Sequence, residues 1–172
     1  MKKIKINIKT FVLIVGISAG LASCNSDYLE TSPTDNVNQE MALSTADNLK
    51  ALVNGMHRNM YVRQNSSQGQ SGQAGVMIMT EAASDDVIWA STGNNWYISS
   101  VRWLDQGNEN SSNTYYPYQF YYSMIRNANL VINSAAKVTG DQQTIDTAVG
   151  EALTYRAFSY FNLVQFYGKR YV

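Results

Sequence analysis

Two long apolar, aromatic-rich segments near the C-terminus restrict the fold of this chain more than any other feature. They lie between Tyr115 and Tyr171, in the run YYPYQFYYSMIRNANLVINSAAKVTGDQQTIDTAVGEALTYRAFSYFNLVQFYGKRY. A polar connector, Lys137 to Thr144, separates them and carries Gly140. Each segment is too long and too periodic for a strand, so the pattern predicts an antiparallel helix pair. Pro117 suits the first turn of the first helix. Gly168, followed at once by Lys169 and Arg170, suits the end of the second. In the first helix Phe120, Met124, Ala128 and Val131 share a face, with Tyr121, Ile125 and Ile132 beside it. The second carries Ile145, Val149, Ala152, Leu153, Tyr160, Leu163 and Val164 on one side, and Tyr155, Phe158, Phe161 and Phe166 elsewhere. Apolar residues around most of the circumference predict burial against two neighbours. Arg126 and Arg156 in that setting are expected to meet a carboxylate or carbonyls as structural groups.

Composition narrows the class. The 172 residues are 45% hydrophobic with one Cys, which fits one globular domain and excludes a disordered chain or a disulfide scaffold. Acidic and basic residues number 13 each, but Lys2, Lys3, Lys5 and Lys9 crowd the first nine positions. Setting those four aside leaves nine basic against 13 acidic residues, a net charge of −4. No basic patch survives, so nucleic acid is not an expected partner. Tyr (12) and Trp (3) are abundant, and several of these rings stand among polar residues, where aromatics either fill cores or line binding surfaces.

Residues 1–23 have the parts of a secretory signal: the basic start MKKIKINIK, the apolar run FVLIVGISAGLA, then small residues. The apolar run is short for a bilayer span. Leu21-Ala22-Ser23-Cys24 resembles the lipobox of bacterial lipoproteins, which implies lipidation of Cys24. Two or more acyl chains anchor a protein stably, at roughly 0.8 kcal/mol per buried methylene. Residues 24–43 are polar, contain Pro33 and lack periodicity, and read as a tether to a folded body over 44–172.

Ser44 and Asp47 form a plausible capping box. Leu49, Leu52, Val53, Met56 and Met60 then make one face of an amphipathic helix running to about Arg63. His57, at the edge of that face, is expected to be packed, since no second His or Cys is near. Gln64 to Gly75 is a low-complexity polar loop. Val76 to Met79 is compatible with either a strand or a helical turn. The adjacent pair Asp85-Asp86 cannot converge on one bond, as an acid/base pair must, and reads as caps or exposed charges. Trp89, Trp96 and Trp103 are seven apart, but Gly93, Asn94 and Asn95 break any helix between the first two. In WASTGNNWYISSVRWLDQGNENSSN, Trp89 and Trp103 are expected to pack the loop onto the body. Trp96 and Tyr97 fit either packing or a sugar site. In a sugar site a ring covers the apolar face of a pyranose and amides such as that of Asn95 pair with hydroxyls.

The helix pair also resembles tetratricopeptide pairs, with small residues Ala152 and Ala157, and Phe161 four after the latter. More specifically, Ile125-Arg126-Asn127-Ala128-Asn129, followed by Glu151-Ala152, Arg156-Ala157, Tyr160-Phe161, Leu163-Val164 and Tyr167-Gly168, resembles the SusD/RagB family signature. These are nutrient-binding outer-membrane lipoproteins of Bacteroidetes. The resemblance implies a mainly all-α fold of tetratricopeptide-like helical pairs with long irregular loops, and a chain that covers the family's N-terminal part through its first pair. It implies binding, with neither catalysis nor a cofactor or metal. The expected ligand is an oligosaccharide, and the expected partner is a TonB-dependent transporter of the SusC type. The expected location is the outer membrane, at the cell surface, through the Cys24 anchor. Trp96, Tyr97 and Asn95 are then the candidate glycan contacts. The alternatives are a tetratricopeptide scaffold lipoprotein of outer-membrane assembly, and a surface glycoside hydrolase using Asp85, Asp86, Asp105 or Glu109.

Overall fold

A computed structural model describes residues 43–90 and 95–169. The predicted leader 1–23, the lipidation site Cys24 and residues 25–42 of the tether lie outside them, as do 91–94 and 170–172. Five α-helices occur among the described residues: α1 Ala46–Asn59, α2 Gly72–Ala82, α3 Ile98–Val101, α4 Ser112–Ser134 and α5 Gln142–Tyr167. The β-type pairing among the described residues consists of two isolated bridges. The fold is all-α.

The predicted helix pair is α4 and α5, packed along their length and joined by a 3₁₀ turn over Ala135–Lys137. Ser111 caps α4 by accepting from the Asn113 amide at 3.2 Å, and Asp141 caps α5 by accepting from the Thr144 amide at 2.8 Å. The Thr144 hydroxyl and amide hold the Asp141 carboxyl below its ordinary value. Because α4 starts at Ser112, Pro117 sits inside the helix rather than in its first turn. Nearby, the Tyr167 hydroxyl donates to the Thr114 carbonyl at 2.6 Å, fastening the end of α5 to the start of α4. Burial pushes the Tyr167 phenol up to about 12.

Small side chains set the helix spacing. Ala128 of α4 and Ala152 of α5 are fully buried, and Ala148 is nearly so. Ala157, predicted to share this role, is exposed. Next to this contact the Arg156 guanidinium donates to the Asn129 side-chain carbonyl at 3.0 Å, the structural use expected of it. Arg126 lies exposed on α4. The third layer is α1, whose Leu49, Val53 and Met56 are buried against the pair. Its cap is Thr45, not Ser44: the Thr45 hydroxyl accepts from the Asn48 amide at 3.3 Å. The helix also stops at Asn59, short of Arg63. His57 is not packed inside; its Nε2 meets the Glu151 carboxylate of α5 at 3.1 Å, with both side chains nearly half exposed.

Two glycines are required by geometry. Gly140 has φ +135, and a Cβ there would stand 2.7 Å from the Ala46 Cβ, because the α4–α5 connector lies against the start of α1. The Ala46 amide donates to the Thr139 carbonyl at 3.0 Å. Gly72 has φ +52, and a Cβ would collide with the Met60 backbone at 2.1 Å. It opens α2, so the predicted loop ends at Ser71, and Val76 to Met79 is helix rather than strand. The Tyr116 hydroxyl donates to the Gly72 carbonyl at 2.8 Å, and that of Tyr121 to the Gln73 side chain at 3.0 Å. These two bonds seat α2 on α4. Burial pushes both phenols up, that of Tyr121 to about 12.

One expectation fails on α5. Its inner side, Ile145, Ala148, Ala152, Ser159 and Leu163, is buried, whereas Leu153, Tyr160, Phe161 and Val164 stay exposed. Among the described residues α5 is covered on one side only.

Gly140→Ala would add both a strained φ and a clash with Ala46. It is expected to lower unfolding stability by roughly 1–3 kcal/mol in urea titration, with little loss of helical circular dichroism under native conditions.

Candidate functional site

The segment between α2 and α4 holds every residue predicted to contact a ligand. Its organising group is Asp105, only 8% exposed. One carboxylate oxygen accepts from Ser99 Oγ and Ser100 Oγ, both at 2.8 Å, and from Asn113 Nδ2 at 2.9 Å. The other accepts from Ser111 Oγ at 2.6 Å, while the Asp105 backbone carbonyl accepts from Thr114 Oγ1 at 2.6 Å. Burial pushes this carboxyl up, but the donors Ser111, Asn113, Ser100 and Ser99 outweigh it and hold it below its ordinary value. One side chain therefore ties α3, the turn after it and the first turn of α4 into a closed loop.

That clamp supports backbone strain. Asn95, Tyr97 and Trp103 have φ of 56°, 57° and 58°. Asn tolerates the left-handed region, but for Tyr and Trp it costs about 1–2 kcal/mol each. Strain of this kind gathers at functional sites and persists only where surrounding contacts enforce it.

The three predicted contacts have different environments. The Tyr97 hydroxyl donates to the Gly69 carbonyl at 3.0 Å, and burial pushes its phenol up. Tyr97 thus pins the segment to the 60–71 loop, and its hydroxyl already has a partner. Trp96 is 46% exposed and stands edge-on to the Tyr97 ring, centroids 6.4 Å apart at 80°. It forms one wall of an open groove of about 520 Å³ with Met77 and Ile78 of α2, Val87 and Ile88. Asn95 is exposed beside it. Trp89 is partly covered and lines the same groove. Trp103, expected to pack, instead projects at 67% exposure with Leu104 at 63%. Asp85 and Asp86 are exposed, as the sequence predicts.

A polar groove of about 300 Å³ between α1 and the start of α5 contains His57 and Glu151. Among the described residues no three His, Cys, Asp or Glu side chains are placed to hold a metal ion. The Asp105 cluster is the functional element that sequence reasoning missed. Its signal was present, since four of its members, Ser99, Ser100, Ser111 and Asn113, flank a lone Asp within 15 residues.

Comparison with known families places this helical pair and the aromatic loop that its buried carboxylate holds. The family model SusD-like, described as starch-binding associating with outer membrane, matches residues 27–172. The chain belongs to this family, a SusD/RagB member, and membership carries glycan binding in association with the outer membrane. No curated protein and no solved structure matches it. Among the described residues no helix is long and apolar enough to cross a membrane.

Asp105→Asn would set an amide N–H₂ against hydroxyl and amide donors in a buried site. A loss of about 2–3 kcal/mol is expected by denaturant titration at pH 7. The folded carboxyl titrates below its unfolded value of about 3.9. Its stabilisation is therefore complete at neutral pH, and is lost as pH falls from about 4 through the folded value. The gap between wild type and variant should narrow over that window.

Proposed function

We propose that this protein binds a starch-type or other neutral glycan at the cell surface and passes it to a SusC-type TonB-dependent transporter. In this reading Cys24 is lipidated and holds the chain to the outer membrane, with residues 25–43 as tether. The observation that carries the binding role is Trp96, held half-exposed on a strained segment whose neighbour Tyr97 is bonded to Gly69. A fixed aromatic face beside aliphatic side chains suits the apolar C–H face of a pyranose. The exposed amide of Asn95 can pair with its hydroxyls. Tyr97 contributes its ring edge and fixes Trp96, while its hydroxyl stays with Gly69.

Binding without turnover accords with the acidic groups. Hydrolysis needs one carboxyl protonated as an acid and a second as base or nucleophile, converging on a bond. Both oxygens of Asp105 are already occupied by donors, and its carboxyl is held ionised. Asp85 and Asp86 stand exposed side by side in one bend, and Glu109 stands exposed in a separate turn.

Trp96→Ala should weaken binding of maltoheptaose or of the preferred neutral oligosaccharide about 10-fold by calorimetry, consistent with roughly 0.5–1.5 kcal/mol for one aromatic stacking contact. Unchanged affinity would count against this site. Cys24→Ser should abolish incorporation of radiolabelled palmitate and shift the protein from the membrane to the soluble fraction. Continued labelling would remove the anchor from this account.

A further inference from the structure

We propose that the groove between Trp103 and Phe166 is a second carbohydrate site, taking a neutral oligosaccharide with the Trp103 ring as its platform. The proposal rests on the glycan-binding reading above and adds a second place of contact. The groove is open, about 750 Å³, and lies along a different side of α2 from Trp96. Met77, Ile78 and Glu81 of α2 line the Trp96 groove, whereas Thr80 of α2 and the following Ala83 and Asp85 line this one. Its size falls within the roughly 300–1,000 Å³ of small-molecule sites.

Stability does not account for Trp103. The ring is 67% exposed and the backbone sits at φ +58, where glycine would be unstrained. A tryptophan that covers little apolar surface and strains its own backbone is not there for the fold. The Asp105 clamp two residues on holds the turn in place despite that strain. Phe166, across the groove, is fixed from behind by stacking on the buried Tyr121 ring, centroids 6.2 Å apart at 22°. The Phe166 wall and the backbone that carries Trp103 are therefore set before any ligand arrives, which lowers the entropy cost of binding.

The polar groups indicate the ligand. The side-chain amides of Gln106 and Gln165 line the groove and make no hydrogen bond among the described residues. Each offers two donors and an acceptor, the set that neighbouring sugar hydroxyls require. Among the described residues the lining holds one carboxylate, Asp85, and no Lys or Arg. Phosphorylated or uronic-acid sugars are therefore disfavoured, and a neutral glycan accepting stacking and amide contacts fits.

The test is affinity electrophoresis of the full chain through gels containing soluble starch, xyloglucan, galactomannan or, as an anionic control, polygalacturonate, together with the Tm of each variant. The wild type should be retarded by at least one neutral polysaccharide. Trp103→Gly should reduce that affinity 10-fold or more while its Tm rises or holds, because glycine relieves the strained φ. Gln106→Ala and Gln165→Ala should each reduce it about 3-fold or more at unchanged Tm. Retardation of wild type and Trp103→Gly to the same extent would overturn the second site and leave the Trp96 reading standing. A marked fall in the Tm of Trp103→Gly would overturn it too, since Trp103 would then be a packing residue. Failure of every neutral polysaccharide to retard the wild type would overturn the glycan reading itself and the second site with it.

Discussion

Ala128 of α4 and Ala152 of α5 are both fully buried in the shared core, and the close approach such small side chains allow lets α4 and α5 act as one rigid beam. Larger side chains at either position would hold the helices apart. Two side-chain bonds then fix the relative slide of the pair: Arg156 to Asn129 near the middle, and the Tyr167 hydroxyl to Thr114 at one end. α1 closes the core with Leu49, Val53 and Met56, and the glycine at 140 lets its first residue lie against the connector. α2 is fastened by the phenols of Tyr116 and Tyr121. The segment between α2 and α4 is held to this frame at both ends, one at α2 and the other at α4.

Within that segment the division of labour is chemical. Asp105 is a buried charge satisfied by four side-chain donors, an arrangement that holds geometry firmly because breaking any one bond leaves a group unpaired. It anchors a stretch that exposes Trp96 and Trp103 and holds Asn95, Tyr97 and Trp103 at positive φ. Rigid aromatic faces with little conformational freedom to lose suit sugar rings, whose own binding gains are small and easily cancelled by ordering costs. Trp96 and Trp103 lie along different sides of α2. The position of α2, set by buried tyrosines, therefore governs both surfaces at once.

Much of this was legible in the sequence, and the reason differs by element. The α4–α5 pair announced itself through length and periodicity, and some of its motif residues hold the pair together: Ala128 and Ala152 are buried in the shared core, and Arg156 bonds Asn129, whereas Arg126, Ala157, Tyr160, Phe161 and Val164 are exposed. The buried side of α5 was blurred because aromatics surround the helix, so no single stripe stood out; Ser159, polar yet fully buried, was hidden by its chemistry. Val76 to Met79 could not be typed because four apolar residues carry no period, and the Gly72 that starts their helix resembled loop. Trp103 was misjudged because large rings usually pack, and only its φ and exposure reveal otherwise. Asp105 was visible as a residue but not as a hub, since its partners come from both sides of a turn that no local pattern encodes. The lipobox at Cys24 and the aromatic-polar composition around Trp96 were legible as motif and composition alone.

The central claim is that ligand contact is confined to the clamped loop, its α2 border and the last turn of α5 at Gln165 and Phe166, while the rest of the helical beam serves as support. Hydrogen–deuterium exchange of the full chain with and without saturating glycan tests it directly. The account predicts slowed exchange over residues 77–106, with the interior of α4 and the exposed side of α5 from 153 to 164 unchanged. Protection appearing along that side of α5, with none between 77 and 106, would contradict it.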